Sequence, residues 1–118
     1  YLADVERFMG GKDEVSDFYR LFMLPGVAHC VGGEGPSRVD ALAALEGWVE
    51  KGEAPDRLIA YKLKKDPGDF EAAYLPPAKN DIVVSRPVYP YPKVARYRSG
   101  DPDRWQSFGP HDPSTGNE

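Results

Sequence analysis

Apolar and polar positions along the chain fall into a few patterns that predict its elements. Leu2, Val5 and Met9 recur at helical spacing until Gly10-Gly11 interrupts them, which predicts a short amphipathic helix. After a charged connector, Phe18-Tyr19-Arg20-Leu21-Phe22-Met23-Leu24 is a nearly continuous apolar run closed by Pro25-Gly26. Its length and aromatic content predict a strand buried on both faces, as in a parallel sheet. Arg20, the one charge within it, needs a paired carboxylate or an exit to solvent. Val27 to Gly35 is a glycine-rich loop. Pro36-Ser37 then opens the strongest helical pattern in the chain. Val39, Leu42, Leu45, Trp48 and Val49 share one side, Asp40, Gly47, Glu50 and Lys51 lie opposite, and Gly52 is the stop. Ser37 is the expected N-cap, with Asp40 in the position of a capping-box acid.

Leu58-Ile59-Ala60-Tyr61-Lys62-Leu63 reads as a second strand after a turn at Ala54-Pro55-Asp56-Arg57. Lys64 to Lys79 is a polar excursion with a turn at Asp66-Pro67-Gly68-Asp69. Asp81 to Ser85 is a short strand. From Arg86 to Pro92 the chain runs extended, because Pro87, Pro90 and Pro92 each fix φ and remove a donor. Beyond Gly100 the sequence is polar and turn-rich, anchored by Trp105 and Phe108 alone. The expected architecture is α/β, with one to three strands, flanking helices and long Pro/Gly-rich loops. Residues 1–100 form its body and 101–118 a polar tail.

Composition narrows the function classes. In 118 residues, 15 Lys and Arg against 19 Asp and Glu give a net charge of −4. No block of positive charge is available for nucleic acid or an anionic membrane. Apolar stretches fall far short of the ~20 residues that span a bilayer. A hydrophobic fraction of 41% supports a packed core, while 12 Gly and 12 Pro predict much irregular chain. The helical pattern starts at the first residue with no Met, signal or cap ahead of it, so the chain is expected to be a piece of something longer. Cys30 is the single cysteine, which rules out an internal disulfide and leaves a buried thiol, an intermolecular bridge or a partner elsewhere.

Among residues able to carry chemistry, His29 stands out. It follows an expected buried strand, precedes an amphipathic helix and is surrounded by glycines that leave backbone space for a reacting group. One Cys and two His cannot close a zinc tetrahedron, and His111 lies too far along the polar segment to serve Cys30 as a protease partner. Ser37 is more simply a cap and Ser85 a residue ahead of Arg86-Pro87; no serine sits in G-x-S-x-G. Lys62, Lys64 and Lys65 read as a solvated strand edge, and Asp101-Pro102-Asp103 as an ordinary turn. No cofactor or metal is expected.

The run from Phe18 through Pro25-Gly26-Val27-Ala28-His29-Cys30 resembles the histidine region of the tannase and feruloyl esterase family. So do the helix Asp40 to Gly52, the segment Ala54 to Ala60, and Ser85-Arg86-Pro87 through Tyr91-Pro92-Lys93-Val94-Ala95-Arg96-Tyr97. The resemblance implies an α/β-hydrolase fold and a Ser-His-Asp triad acting on small phenolic or short-chain esters. It assigns His29 the role of general acid/base and makes Cys30 the neighbour that forms a disulfide with a cysteine beside the nucleophile. It places the Ser and Asp ahead of Tyr1, which leaves Ser37 and Ser85 as the substitute nucleophiles within the chain. Tyr89 stands where relatives often carry a cysteine. A disulfide-dependent parent implies a secreted or periplasmic setting, though the chain carries no targeting signal. The alternative reading is a stable, catalytically incomplete domain that self-associates as a homo-oligomer.

Overall fold

The computed structural model describes residues 1–29, 32–65 and 77–115. Cys30 and the expected turn at 66–69 lie outside the described residues. Helix α1 spans Leu2–Met9 and ends at Gly10, as its periodicity predicts. The connector beyond it forms a second short helix, α2 (Lys12–Ser16). Val15 on α2 is the most deeply buried large side chain described, at 1% exposure.

Three strands build the main sheet: β1 (Arg38–Val39), β2 (Leu58–Leu63) and β3 (Ile82–Val88). Their order is β1-β2-β3 and both pairings are antiparallel, with Val39 opposite Ala60 and Leu58 opposite Val88. Side chains alternate across the pleat, so Val39, Leu58, Ala60 and Val88 meet on one face. Val39, Ala60 and Val88 are the core there, with Phe22, Leu24, Ala41 and Leu58 packed against them. Arg38, Tyr61 and Ser85 line up on the other face. A second, two-stranded sheet pairs β4 (Val94–Tyr97) with β5 (Phe108–His111).

Several expectations change. The run Phe18 to Leu24 is not a strand of a parallel sheet. Only Phe22 forms a bridge, to Pro90, and Tyr91 N–H donates to the Leu21 carbonyl at 2.8 Å. The prolines on either side lack the donors that a longer ladder needs. Phe22 and Leu24 turn inward, whereas Phe18 and Met23 are 57% and 62% exposed. Arg20 does find its carboxylate: its Nη1 lies 3.4 Å from Asp56 Oδ1 and also donates to the Pro55 carbonyl at 2.8 Å.

The long helix α3 runs Ala41–Lys51, and its N-cap is Asp40 rather than Ser37. Asp40 Oδ1 accepts the Ala43 N–H at 3.1 Å, because pairing of Arg38 and Val39 with β2 keeps the chain extended until Asp40. The face of α3 turned inward is only partly the expected one. Ala41 packs on the core and Trp48 lies under the Arg20 guanidinium at 5.4 Å, while Leu42, Leu45 and Val49 are 53%, 54% and 76% exposed. The third strand is longer than Asp81 to Ser85 and includes Pro87. Finally, the boundary expected at Gly100 falls inside the β4–β5 hairpin, so residues 101–111 fold onto the body instead of trailing as a tail. Asp103 closes the outer edge of β3 by accepting the Ser85 N–H at 2.9 Å.

Candidate active site

His29 sits near the tip of a tight glycine hairpin. Gly35 N–H donates to the Gly26 carbonyl at 2.8 Å, Ala28 N–H donates to the Gly32 carbonyl at 3.0 Å, and Val27 bridges Gly33. Two glycines make this closure possible. A Cβ on Gly35 would run into the Pro25 carbonyl oxygen, and one on Gly33 into the Gly26 carbonyl oxygen. Gly33 also has φ +92°, which L side chains rarely adopt. The backbone therefore crosses itself closely and carries the histidine outward, where its side chain is exposed. His29 and Ser37 each make at least one interaction within the fold.

The hairpin is tied to the sheet from below. Lys62 Nζ on β2 donates to the Glu34 carbonyl oxygen at 2.7 Å, with the Glu34 carboxylate 3.8 Å away. A lysine read from sequence as a solvated edge residue thus reaches the histidine loop. Nothing in the sequence signals this, because a long side chain meeting a backbone carbonyl obeys no periodicity.

The serines lie elsewhere. Ser37 is half-buried, one residue before β1. Ser85 is 3% exposed on β3, in line with Arg38 and Tyr61 across the sheet, and its Oγ accepts the Trp105 N–H at 3.0 Å. Its hydroxyl thus anchors the turn Trp105–Ser107 that leads into β5. Around it lies a cluster that sequence reading did not find: Arg86 stacks over Phe108 at 4.6 Å and approaches Asp103 at 3.9 Å, while Arg57 stacks over Trp105 at 4.7 Å.

Two cavities among the described residues bear on the site. One of about 880 Å³ is bounded by Met23, Leu24, Arg86, Tyr91 and Phe108 and reaches the base of the histidine hairpin at Pro25. The other, of about 520 Å³, lies between the first two helices and Tyr89, with Arg20 and Lys93 on its walls. Among the described residues, no group of three or more His, Cys, Asp and Glu could hold a metal ion, and no helix is long and apolar enough to cross a membrane.

Residues 1–109 match the family described as tannase and feruloyl esterase. The chain belongs to that family. It is 42% identical over 97 residues to a mono(2-hydroxyethyl) terephthalate hydrolase of Piscinibacter sakaiensis, a match covering 81% of this chain and 14% of that protein. A probable feruloyl esterase of Arthroderma benhamiae is 37% identical over 110 residues, covering 92% of this chain and 18% of its own. Among solved structures, an esterase from Aspergillus oryzae superposes with a TM-score of 0.78 at 25% identity, over 94% of this chain and 23% of that one. Feruloyl esterase B from the same organism gives 0.73 at 26% identity. This family member therefore spans under a quarter of the length of these relatives. Its mixed helix and sheet content is that of the corresponding part of those esterases.

Proposed function

We propose that these residues are the histidine-bearing, carboxyl-terminal part of a serine-type carboxylic ester hydrolase of the α/β-hydrolase class. His29 is its general acid/base, and the Ser and Asp of the triad lie outside this sequence. The supporting observation is the hairpin, which projects an exposed imidazole from a close glycine crossing in a member of the tannase and feruloyl esterase family. In the reaction, His29 takes the proton of the serine hydroxyl as it attacks the ester carbonyl, then delivers it to the departing alcohol. The substrate class is small esters of aromatic acids or short-chain esters, in keeping with the names of the relatives. No cofactor takes part. Cys30 is the residue that pairs with a cysteine beside the nucleophile, as the family resemblance implies, and a disulfide-dependent parent belongs in a secreted or periplasmic setting.

The test is His29→Ala in the full-length protein, assayed on a methyl ester of a hydroxycinnamic acid and on a short-chain nitrophenyl ester. Loss of a triad histidine lowers kcat by about 10⁴-fold or more. Hydrolysis at the parent's rate would remove His29 from the mechanism.

One observation favours a second reading. The exposed Leu42, Leu45 and Val49 form an apolar face on α3, and such a face needs a cover. Because the chain spans only 14% and 18% of two relatives, the cover is assigned to the remainder of the hydrolase domain. A self-associating, catalytically incomplete domain is the alternative. Light scattering on these 118 residues with and without reductant separates the two: a dimer dispersed by Leu45→Glu supports self-association.

A further inference from the structure

We propose that Lys62 is a positioning residue for His29, holding the histidine hairpin against the sheet through the Glu34 carbonyl. The proposal rests on the reading of His29 as the general acid/base. The described part of the hairpin is rich in glycine. Its stem is closed by backbone bonds at Gly35–Gly26 and Ala28–Gly32, and Gly26, Gly32, Gly33 and Gly35 have no side chains to pack. A loop with few packed side chains opens at low free energy. Lys62 supplies the link to something stiffer. Its strand β2 is the central one, paired on one side with β1 and on the other with β3, and its ammonium donates to Glu34 O at 2.7 Å.

The carbonyl contact carries the tie, not the charge pair. The Glu34 side chain is fully exposed and its carboxylate stands 3.8 Å from Nζ, where solvent and salt screen the attraction. A charge-assisted hydrogen bond to a backbone oxygen fixes the position of the loop itself. General-base geometry tolerates little displacement, so a looser hairpin lowers turnover without weakening ground-state binding.

The test uses three variants of the full-length protein and two readouts. Lys62→Met removes the donor, Lys62→Arg keeps one of similar reach, and Glu34→Gln removes the carboxylate while leaving the carbonyl. We expect Lys62→Met to lower kcat by about tenfold at unchanged KM. The same variant speeds amide exchange at Ala28 and Gly35 by a similar factor, while β2 and β3 amides keep their protection. Lys62→Arg restores most of both, and Glu34→Gln changes neither. The proposal is overturned if Lys62→Met leaves exchange at Ala28 and Gly35 unchanged. It is equally overturned if exchange rises uniformly through β2 and β3, or if Glu34→Gln reproduces the loss. The exchange measurement needs no turnover, so it judges the tether even where His29→Ala shows the imidazole to be dispensable for hydrolysis.

Discussion

Replacing Ser85 by Ala separates a structural hydroxyl from a nucleophilic one. Ser85 is 3% exposed, and its Oγ accepts the Trp105 N–H at 3.0 Å while its own N–H donates to Asp103 at 2.9 Å. The alanine variant keeps the backbone bond and loses the side-chain one, leaving a partly buried N–H without its acceptor. The desolvation penalty for such a donor is about 1–3 kcal/mol. Partial access of water to the Trp105 turn places the expected loss near the middle, at about 2 kcal/mol. Trp105 also carries the stacked Arg57 guanidinium at 4.7 Å, so the loosened turn changes the indole environment. Equilibrium urea unfolding followed by tryptophan emission reads this directly: the midpoint falls while the slope is unchanged. Ester hydrolysis at a temperature well below unfolding stays at the parent's rate. An unchanged midpoint would refute the stability argument. A variant with parental stability and abolished hydrolysis would instead make Ser85 the nucleophile and overturn the assignment of that role to a serine outside this sequence.

Two further outcomes follow from the hairpin and from the carboxyl-terminal turn. Gly35→Ala drives a methyl group into the Pro25 carbonyl oxygen and costs about 1–3 kcal/mol of local or global stability; amide exchange at Ala28 and at the substituted position rises, and a variant as protected as the parent would contradict the close crossing. Asp112 is held below its ordinary value of 3.8, first by the Ser114 hydroxyl and then by the Ser114 N–H, with the charges of Lys12 and Lys93 adding to these. An acid with a lowered pKa contributes stability above its ordinary value and loses it as pH falls through the lowered one. The turn Pro113–Thr115 is therefore expected to loosen only in acid below pH 3.8, and Ser114→Ala moves the Asp112 carboxyl titration upward in an NMR series. A titration left in place by that substitution would assign the lowering to the retained Ser114 N–H and the two lysines.

What the sequence made legible and what it hid have physical causes. Helix α1, the body of α3 and strand β2 were readable because each has a period and a stop of its own. The cap of α3 was misplaced because Ser37 and Asp40 are both good caps, and only the pairing of Arg38 and Val39 with β2 decides between them. Strands β4 and β5 were invisible for another reason. All four residues of β4 are exposed, so no alternation exists to detect, and Pro110 sits within β5. What holds them together is tertiary: Tyr97 meets Phe108 edge-on at 5.6 Å, and Arg98 N–H donates to the Ser107 carbonyl at 2.7 Å. For the site, the glycine setting of His29 was plain in the sequence, whereas the reach of Lys62 required three-dimensional placement of a strand 28 residues away from Glu34.

The α3 helix shows why a correct periodicity can point to the wrong inner face. A helix with apolar residues on a single stripe has one buried side, and the wheel then identifies it. On α3 the apolar positions cover more than one side: Ala41 and Trp48 turn inward, while Leu42, Leu45 and Val49 turn out at half exposure or more. A helix patterned in this way is at home between two layers. Within the described residues, only one of those layers is present: the antiparallel sheet and the Arg20 side chain that lies over Trp48. The sequence pattern thus records both sides, and the structure fills the one that carries Ala41 and Trp48. The main sheet points the same way, since β1 contributes only two residues and lies at the end of the described strand order.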